Sequence, residues 1–483
     1  MQAEMIVTNG RVLTMDDDNP RAEAVAMAGG RILAVGSAAE VAALAGPATR
    51  VVDAGGRTVL PGFVESHLHL GLGGVELQHL HVSGQHGIPA LRAAFGSFAA
   101  RNPGLPVLIA QGADYAMLDH PVSRHDLDQV LADRPIAMMA HDLHTVWANT
   151  AALKAAGILN GLATPHGHEV VIGPDGLAMG ELREFEAFAP IIRLAGEERM
   201  NLGIATGAEP AVPPTPEERA IDRAHFAAGL RHCAAHGITS MVMMDGNRYT
   251  LDCLRELQAE GGLLARVKVP FHFKPHMEMS DLDRAEAMTR DFHDDWLRSG
   301  FVKMFMDGVV DTRTAAMLND YPDAPGHRGE PLFAPERFKA LATEIDRRGL
   351  QIAVHAIGDG AVRHTIDGYE AAARANGPRD SRHRIEHIEL IDPADIPRLG
   401  ALGITASLQP PHPPGAMDFP LMPTLDRIGR ARWKDAYLWK TLADHGAALA
   451  FASDWPVTDV SVMRGIKAAL TRTPFAEGLP DQR

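Results

Sequence analysis

Hydrophobic residues in the first 60 positions come in short runs that are separated by turn residues. The runs at 5–8 and 11–15 flank Asn9-Gly10, a strong signal for a β-hairpin. The runs at 24–27 and 31–36 repeat this pattern around Ala28-Gly29-Gly30. We therefore predict that residues 1–60 form a small β-sandwich of short antiparallel strands.

From position 217 onward, helical patterns alternate strictly with short apolar runs. The predicted strands lie at 239–244, 267–273, 301–306, 351–355, 384–388, 404–408 and 448–454. The predicted helices lie near 217–235, 250–260, 281–298, 335–348, 360–375, 393–401 and 433–445. Together with the run at 60–70 this makes eight strands, so we predict an α/β fold in which residues 61–483 form a (β/α)8 TIM-type barrel. A doubly wound open sheet is the alternative, but no glycine-rich nucleotide fingerprint follows any of the strands.

The stretch at about 72–220 interrupts this rhythm. Runs at 107–110 and 136–140 predict strands, with helices between and after them. The proline-rich segment 209–216 predicts a stiff linker. We expect an inserted α/β subdomain between the first barrel strand and the rest of the barrel.

Composition narrows the functional classes. The chain has 483 residues and a formal net charge of -15, so we expect no nucleic-acid partner and no membrane partner. Cys233 and Cys253 lack zinc-ligand spacing and predict buried, reduced thiols. The N-terminus does not resemble a signal peptide, and no apolar run could span a bilayer. These features favour a cytoplasmic protein with a small-molecule substrate, and leave its oligomeric state open, with a homodimer as one option.

The first predicted barrel strand ends in His67-Leu68-His69, and alternation along a strand places both imidazoles on one face. Such a pair is a weak signal in a chain with 24 histidines. Barrel chemistry lies at the carboxyl ends of the strands, however, and other strands end in further ligand types. These residues are Lys303, His355, His387 and Asp454. Each alone is more often structural, but together they predict a metal site.

Lys303 lies within the apolar strand Phe-Val-Lys-Met-Phe-Met at 301–306. A buried, unpaired ammonium is costly. Lys303 therefore either pairs with Asp307 or another acid, or reacts with carbon dioxide to form a carbamate that could bridge two metal ions. We favour the carbamate.

The chain resembles the amidohydrolase superfamily, and in particular the amidohydrolase-3 branch, which includes YtcJ-like proteins and N-substituted formamide deformylases. The motifs span nearly the whole chain: Leu-Pro-Gly-Phe-Val-Glu-Ser-His-Leu-His at 60–69, Val-Lys-Met-Phe-Met-Asp-Gly at 302–308, Arg-Thr-Ala-Ala at 313–316, Val-His-Ala-Ile-Gly-Asp at 354–359, Arg-Ile-Glu-His at 384–387 and Ser-Asp-Trp-Pro at 453–456. Two further matches, at 123–128 and 147–153, lie in the predicted insert.

The resemblance implies a divalent metal centre, usually zinc. His67, His69 and Asp454 would hold one ion, His355 and His387 a second, and carboxylated Lys303 would bridge them. The implied reaction is attack by a metal-activated hydroxide, with Asp454 as general base and Lys303 as the second catalytic residue. Some members bind a single ion, in which case Lys303 would be a structural ion-pair partner.

A second group of residues matches family positions that could contact the substrate. These residues are His144, Glu184, Asp307 and Arg313, and for each a structural hydrogen bond is at least as good an interpretation. The proline-rich segment 409–423, which contains His412, predicts a rigid loop over the site.

The resemblance predicts hydrolysis of a carbon–nitrogen bond other than a peptide bond, in an amide or N-substituted formamide. Two alternatives stay open: a mononuclear deaminase of the same superfamily, and a barrel that binds a ligand without catalysis. Family members continue past the last barrel strand with a segment that completes the small sandwich. This chain ends at Arg483, so we expect half of the sandwich to be missing.

Overall fold

The computed structural model describes residues 1–140, 145–164, 168–417, 419, 421–472 and 482. It divides into two compact units, Met1–Val64 and Glu65–Arg483. The elements of the smaller unit are β1 Met5–Thr8, β2 Arg11–Leu13, β3 Arg21–Ala22, β4 Ala24–Ala28, β5 Arg31–Gly36, α1 Ala38–Ala42, β6 Arg50–Asp53 and β7 Thr58–Val59.

The smaller unit contains two sheets, with strand orders β5-β4-β1-β6 and β3-β2-β7. The predicted hairpin at Ala28-Gly29-Gly30 is confirmed, because Ala28 pairs with Arg31 across β4 and β5. Gly29 and Gly30 have φ values of 56° and 70°, which suit glycine in a tight turn. Small side chains such as Ala24 and Ala26 pack against Val41 of α1.

The hairpin predicted at Asn9-Gly10 is wrong. The turn exists, with Asn9 at φ 54°, but β1 pairs with β4 and β6, whereas β2 pairs with β3 and β7. Asn9 Nδ2 instead donates to Asp53 Oδ1 at 2.8 Å. This bond connects the turn between β1 and β2 to the end of β6, where the chain leaves for β7. The local sequence therefore specified the turn but not the strand partners.

The larger unit begins within β8. From β8 onward the described residues form sixteen strands: β8 Phe63–Leu68, β9 Leu80–His81, β10 Leu108–Ala113, β11 Ile136–Ala140, β12 Thr145–Ala148, β13 Glu169–Ile172, β14 Ala178–Arg183, β15 Ile238–Met243, β16 Arg266–Lys268, β17 Phe271–His272, β18 Leu297–Arg298, β19 Phe301–Phe305, β20 Gln351–Ala356, β21 Arg384–His387, β22 Thr405–Leu408 and β23 Ala448–Phe451.

The α-helices of this unit are α2 Leu70–Glu76, α3 Ile88–Arg101, α4 Arg124–Val130, α5 Thr150–Ala155, α6 Phe185–Leu194, α7 Glu198–Ala205, α8 Pro216–Ala235, α9 Arg248–Ala259, α10 Leu282–Asp291, α11 Pro335–Arg347, α12 Asp359–Asn376, α13 Ile396–Ala401, α14 Thr424–Ile428, α15 Trp439–Asp444 and α16 Val462–Thr471. Two 3-10 helices span Met279–Asp281 and Arg430–Asp435.

The region predicted as an insert contains its own six-stranded mixed sheet, in the order β13-β14-β12-β11-β10-β9. Successive residues of β11 alternate between two hydrophobic clusters, since Ala137 and Met139 lie in one and Ile136 and Met138 in the other. The sheet is therefore covered on both faces, as the unbroken apolar run of β11 requires.

The remaining strands form two further sheets, in the orders β18-β16-β15-β8 and β17-β19-β20-β21-β22-β23. All neighbouring strands within the second of these pair in parallel. The predicted strand at 267–273 is interrupted at Pro270, which has no N–H to donate, and Gly300, with φ 107°, separates β18 from β19. The α/β class is confirmed, whereas the described strands do not form one closed barrel ladder.

Two predicted helices are shorter than expected. The helix expected at 281–298 ends at Asp291, and Asp294 Oδ1 then accepts hydrogen bonds from the N–H groups of Trp296 and Leu297. Such local acceptance competes with helical bonding. The helix expected at 433–445 is divided into a 3-10 helix and α15, with Tyr437 at φ 53° between them.

Two remaining predictions concern the cysteines and membrane-spanning helices. Cys233 and Cys253 are buried free thiols, as predicted. Among the residues that the structure describes, no helix combines the length and apolar character needed to cross a bilayer.

Candidate metal centre

His67 is held rigidly by a carboxylate behind it. It lies in β8, and its Nδ1 donates to Glu386 Oε2 at 2.7 Å. Nε2 lies 3.1 Å from Asp454 Oδ1. With the proton on Nδ1, Nε2 is the nitrogen that could bind a metal ion. Burial of both His67 and Glu386 keeps water from competing for these contacts.

His69 lies two residues further along the chain and is likewise flanked by two carboxylates. Its Nε2 lies 3.2 Å from Asp454 Oδ1, and its Nδ1 lies 3.4 Å from Asp245 Oδ1. Asp245 follows β15, so the two carboxylates that flank His69 come from different strands. The structure therefore places the imidazoles of both predicted residues, His67 and His69, against Asp454.

Asp454 follows β23 and adopts φ 63°, an uncommon conformation for a non-glycine residue that often marks functional sites. Its N–H donates to the carbonyl of His67 at 3.0 Å. The Glu65 carboxylate accepts from the N–H groups of His67 and Ser453 and so joins the two segments. Burial opposes ionisation of Asp454, but His67 and the contacts from both imidazoles hold the pKa of its carboxyl well below its usual range.

The geometry of this group fits a metal ion. His67, His69 and Asp454 offer ligand atoms that all lie within 4.8 Å of one another. Asp454 Oδ1 is buried and makes no hydrogen bond with the described residues, although it lies 3.1 and 3.2 Å from the two imidazole nitrogens. Bonds of about 2.0–2.1 Å to tetrahedral zinc separate neighbouring ligands by about 3.3 Å. The three residues therefore match the spacing of ligands around one ion.

His355 and His387 lie next to this group. The ring centroid of His387 is 4.9 Å from that of His67 and 4.5 Å from that of His355. His355 Nε2 contacts the carbonyl of Gly308 at 3.0 Å. Burial lowers the pKa of His355 to about 3 and holds the pKa of His387 well below its usual range. Both imidazoles are therefore neutral at pH 7, the form that binds metal ions.

Lys303 is fully buried in β19, and its Nζ has no hydrogen-bond partner in the described part of the chain. The nitrogen lies 4.7 Å from the centre of the Phe305 ring, and burial lowers the pKa of Lys303 to about 8. The suggested ion pair with Asp307 is not formed. Glu386, Asp454 and Asp245 attract the charge of an ammonium in this position. It nevertheless has no hydrogen bond within the described residues, which is the condition from which the carbamate was predicted.

Asp307 instead binds the main chain. Its carboxylate accepts hydrogen bonds from the N–H groups of Ala316, Ile357 and Gly358 at 2.8 to 3.0 Å. These bonds connect the loop after β19 to the loop after β20. The contact predicted between Asp307 and a substrate stays a prediction.

The other predicted substrate residues are placed as follows. Arg313 makes a bidentate ion pair with Asp323, at 3.1 and 2.7 Å, on the protein surface. Glu184 lies between β14 and α6 with φ 63° and is half-buried. His144 lies outside the described residues. For all three, the substrate contact stays a prediction.

Three site residues were missed in the sequence: Asp245, Glu386 and His412. Asp245 directly follows a predicted strand, so the rule of searching strand ends could have found it. Glu386 adjoins His387 but is recognisable only from its contact with His67. His412 forms a second group with His387 and Asp454, whose ligand atoms also lie within 4.8 Å of one another.

Known proteins resemble this chain over nearly its whole length. The amidohydrolase-3 model, described as "Amidohydrolase family", matches residues 50–483. The putative amidohydrolase YtcJ of Bacillus subtilis is 31% identical over 96% of this chain and 83% of its own. The N-substituted formamide deformylase of Arthrobacter pascens is 27% identical over 84% of this chain and 73% of its own.

A solved structure shares the fold. The crystal structure of an uncharacterized metal-dependent hydrolase from Pyrococcus horikoshii superposes with a TM-score of 0.75 at 23% identity, over 97% of this chain and 86% of the other. The match of the family model and the similarity to YtcJ confirm the family resemblance inferred from the motifs. The chain belongs to the amidohydrolase family, in its amidohydrolase-3 branch, and is a hydrolase that acts on carbon–nitrogen bonds.

Proposed function

We propose that this protein hydrolyses the carbon–nitrogen bond of a small amide or N-substituted formamide, with a zinc ion bound by His67, His69 and Asp454. The observation that supports this best is the unpartnered Asp454 Oδ1, buried at 3.1 and 3.2 Å from two imidazole nitrogens. Two buried acids, Glu386 and Asp245, stand behind those imidazoles, as in many zinc sites. The deformylase relative supports the choice of substrate class.

A second ion would be bound by His355 and His387, with carboxylated Lys303 as a bridge. The neutral imidazoles of His355 and His387 support this arrangement, as does the fully buried Lys303 Nζ, which has no hydrogen-bond partner among the described residues. In the same way, we propose that the two sheets with parallel strands are arcs of one (β/α)8 barrel. The hydrogen bond from Asp454 N–H to the His67 carbonyl supports it, because it links the segment after β23 to β8.

The chain's own residues would divide the work as follows. A divalent ion, when bound, lowers the pKa of a water molecule and polarises a carbonyl group. The Asp454 carboxylate would take a proton from the attacking water and pass it to the leaving amine. The low pKa of Asp454 keeps its carboxylate ionised. Glu65 orients Asp454 through the N–H of Ser453.

The test is an activity assay with the full chain after removal of metal by a chelator and reconstitution with zinc. We expect release of formate and amine from N-substituted formamides, and a loss of about 100-fold or more in kcat/KM in Asp454→Asn. Asp444→Asn is the control, because Asp444 is exposed and, in the described part of the chain, forms an ion pair with Lys440 alone. Full activity in the presence of chelator, or in Asp454→Asn, would refute the proposal.

A mononuclear deaminase is the second candidate. His67, His69 and Asp454 form one ligand group, and His355 joins no such group of His, Cys, Asp and Glu side chains among the described residues. Ammonia release from an aminated heterocycle, with one zinc ion per chain, would favour this candidate over the amidase.

A further inference from the structure

His412 lies in the loop after β22, and neither of the two ions proposed above is assigned to it. It is buried, with 8% of its surface exposed, and its Nε2 has no hydrogen-bond partner within the described ranges. That nitrogen lies 3.6 Å from Asp454 Oδ2, the oxygen opposite the one that faces His67 and His69. A buried imidazole nitrogen therefore points at the metal centre without a partner.

The surroundings of His412 repeat those of the two imidazoles already assigned. In His67, His69 and His412 alike, Nε2 faces Asp454 and Nδ1 faces a second carboxylate. The second carboxylates are Glu386 at 2.7 Å, Asp245 at 3.4 Å and Glu389 at 3.6 Å. A carboxylate behind the outer nitrogen of an imidazole fixes its tautomer and directs the inner lone pair toward a metal.

The position of His412 is also fixed by its neighbours. Its N–H donates to the carbonyl of Gln409 at 3.0 Å, which closes a turn directly after β22. Its ring is nearly parallel to that of His387, at 9° and a centroid distance of 5.7 Å, and contacts Phe419 on another side at 5.1 Å. His412 therefore faces Asp454 Oδ2 with its ring stacked beside that of His387.

We propose that His412 is a metal ligand, which acts with His387 to hold an ion on the Oδ2 side of Asp454. This inference rests on the proposed metal-dependent function. It adds to the metal centre an imidazole from the loop after the seventh predicted barrel strand. The ligand atoms of His387, His412 and Asp454 lie within 4.8 Å of one another, as those of His67, His69 and Asp454 do. The turn from Gln409 to His412 would then contribute to the metal centre.

The experiment measures Co²⁺ binding to the full chain after metal removal, by metal analysis and by the visible absorption of the bound ion. We expect the wild-type protein to bind two Co²⁺ per chain. In His412→Ala the first ion should bind as in the wild type, and the second should bind at least about 10–100-fold more weakly. His445→Ala is the matched control, because His445 is exposed at the end of α15.

Further variants separate ligand loss from misfolding and from failure of the proposed function. His412→Asn, with circular dichroism as a check of folding, should show the same loss, and imidazole in solution should restore part of it in His412→Ala. His67→Ala should weaken the first ion. Wild-type protein that binds no Co²⁺ would overturn the proposed function itself.

If His67→Ala weakens binding but His412→Ala binds every ion as tightly as the wild type, only the assignment of His412 fails. A wild-type chain that binds a single Co²⁺ overturns the assignment if His412→Ala leaves its affinity unchanged, and supports it if the affinity falls.

Discussion

Glu386 Oε2 lies 2.7 Å from His67 Nδ1, and the two side chains are 0% and 1% exposed. Arg384 contacts the same carboxylate at 2.5 and 2.8 Å, so the charge of Glu386 is balanced without protonation. Burial opposes ionisation of Glu386, but Arg384 and His67 hold the pKa of its carboxyl well below its usual range. The finding connects a strand-end imidazole to a buried ion pair on another strand.

Glu386→Gln should weaken metal binding without removing a ligand. The neutral amide holds His67 Nδ1–H less firmly, and changes of this kind cost about 10–100-fold in metal affinity. Competition with a chelator of known zinc affinity measures the effect. Glu336→Gln is the control, since the Glu336 side chain is 85% exposed and its one ion pair among the described residues is with Lys339. Equal zinc affinity in Glu386→Gln and the wild type would contradict the orienting role of Glu386.

Lys303→Met should stabilise the metal-free protein. Methionine fills a similar volume without the unpartnered Nζ, whose burial costs about 1–3 kcal/mol. With zinc present the order should reverse, because the variant lacks the proposed bridge and gains less free energy from the ion. Urea unfolding with chelator and with zinc measures both effects, and Lys440→Met serves as an exposed control. A less stable metal-free variant would show that Lys303 has a compensating partner.

Asp307→Asn separates a structural role from a substrate contact. The amide has one acceptor oxygen, whereas the carboxylate accepts three main-chain N–H bonds. We expect the free energy of unfolding to fall by about 2–3 kcal/mol. Urea unfolding tests this, with the exposed Asp323→Asn expected to cost less than about 1 kcal/mol. Unchanged stability with a raised KM would instead favour the substrate contact.

Lys268 should make stability depend on alkaline pH. Burial, with smaller effects from Arg384 and Arg298, lowers the pKa of Lys268 from 10.5 to about 8. Between these values the unfolded chain binds a proton that the folded chain has released, so stability rises with pH there. The free energy of unfolding of the wild type minus that of Lys268→Met should rise between pH 8 and 10.5, by at most about 1.4 kcal/mol per pH unit. A difference that stays flat across this range would show that Lys268 titrates normally.

The strands that carry the site were predictable for a local reason. Strands such as β19 and β20 are buried on both faces, so their apolar runs stand out in the sequence. Element ends were less predictable, because side chains such as Asp294 accept main-chain hydrogen bonds that compete with the helix. At Asn9-Gly10 the turn was correct and the pairing was not, since pairing depends on strands far away in the chain.

The sequence by itself determined the family, the α/β class and the His-x-His pair, because motifs and strand periodicity are local properties. Only the tertiary structure decided which carboxylate faces each imidazole. Glu386, Asp245 and Glu389 come from three different segments, and nothing in their local sequence assigns them to His67, His69 and His412. His412 is the clearest case: in the sequence it is one histidine in a proline-rich loop, and its orientation toward Asp454 arises only when the ends of β22 and β23 meet.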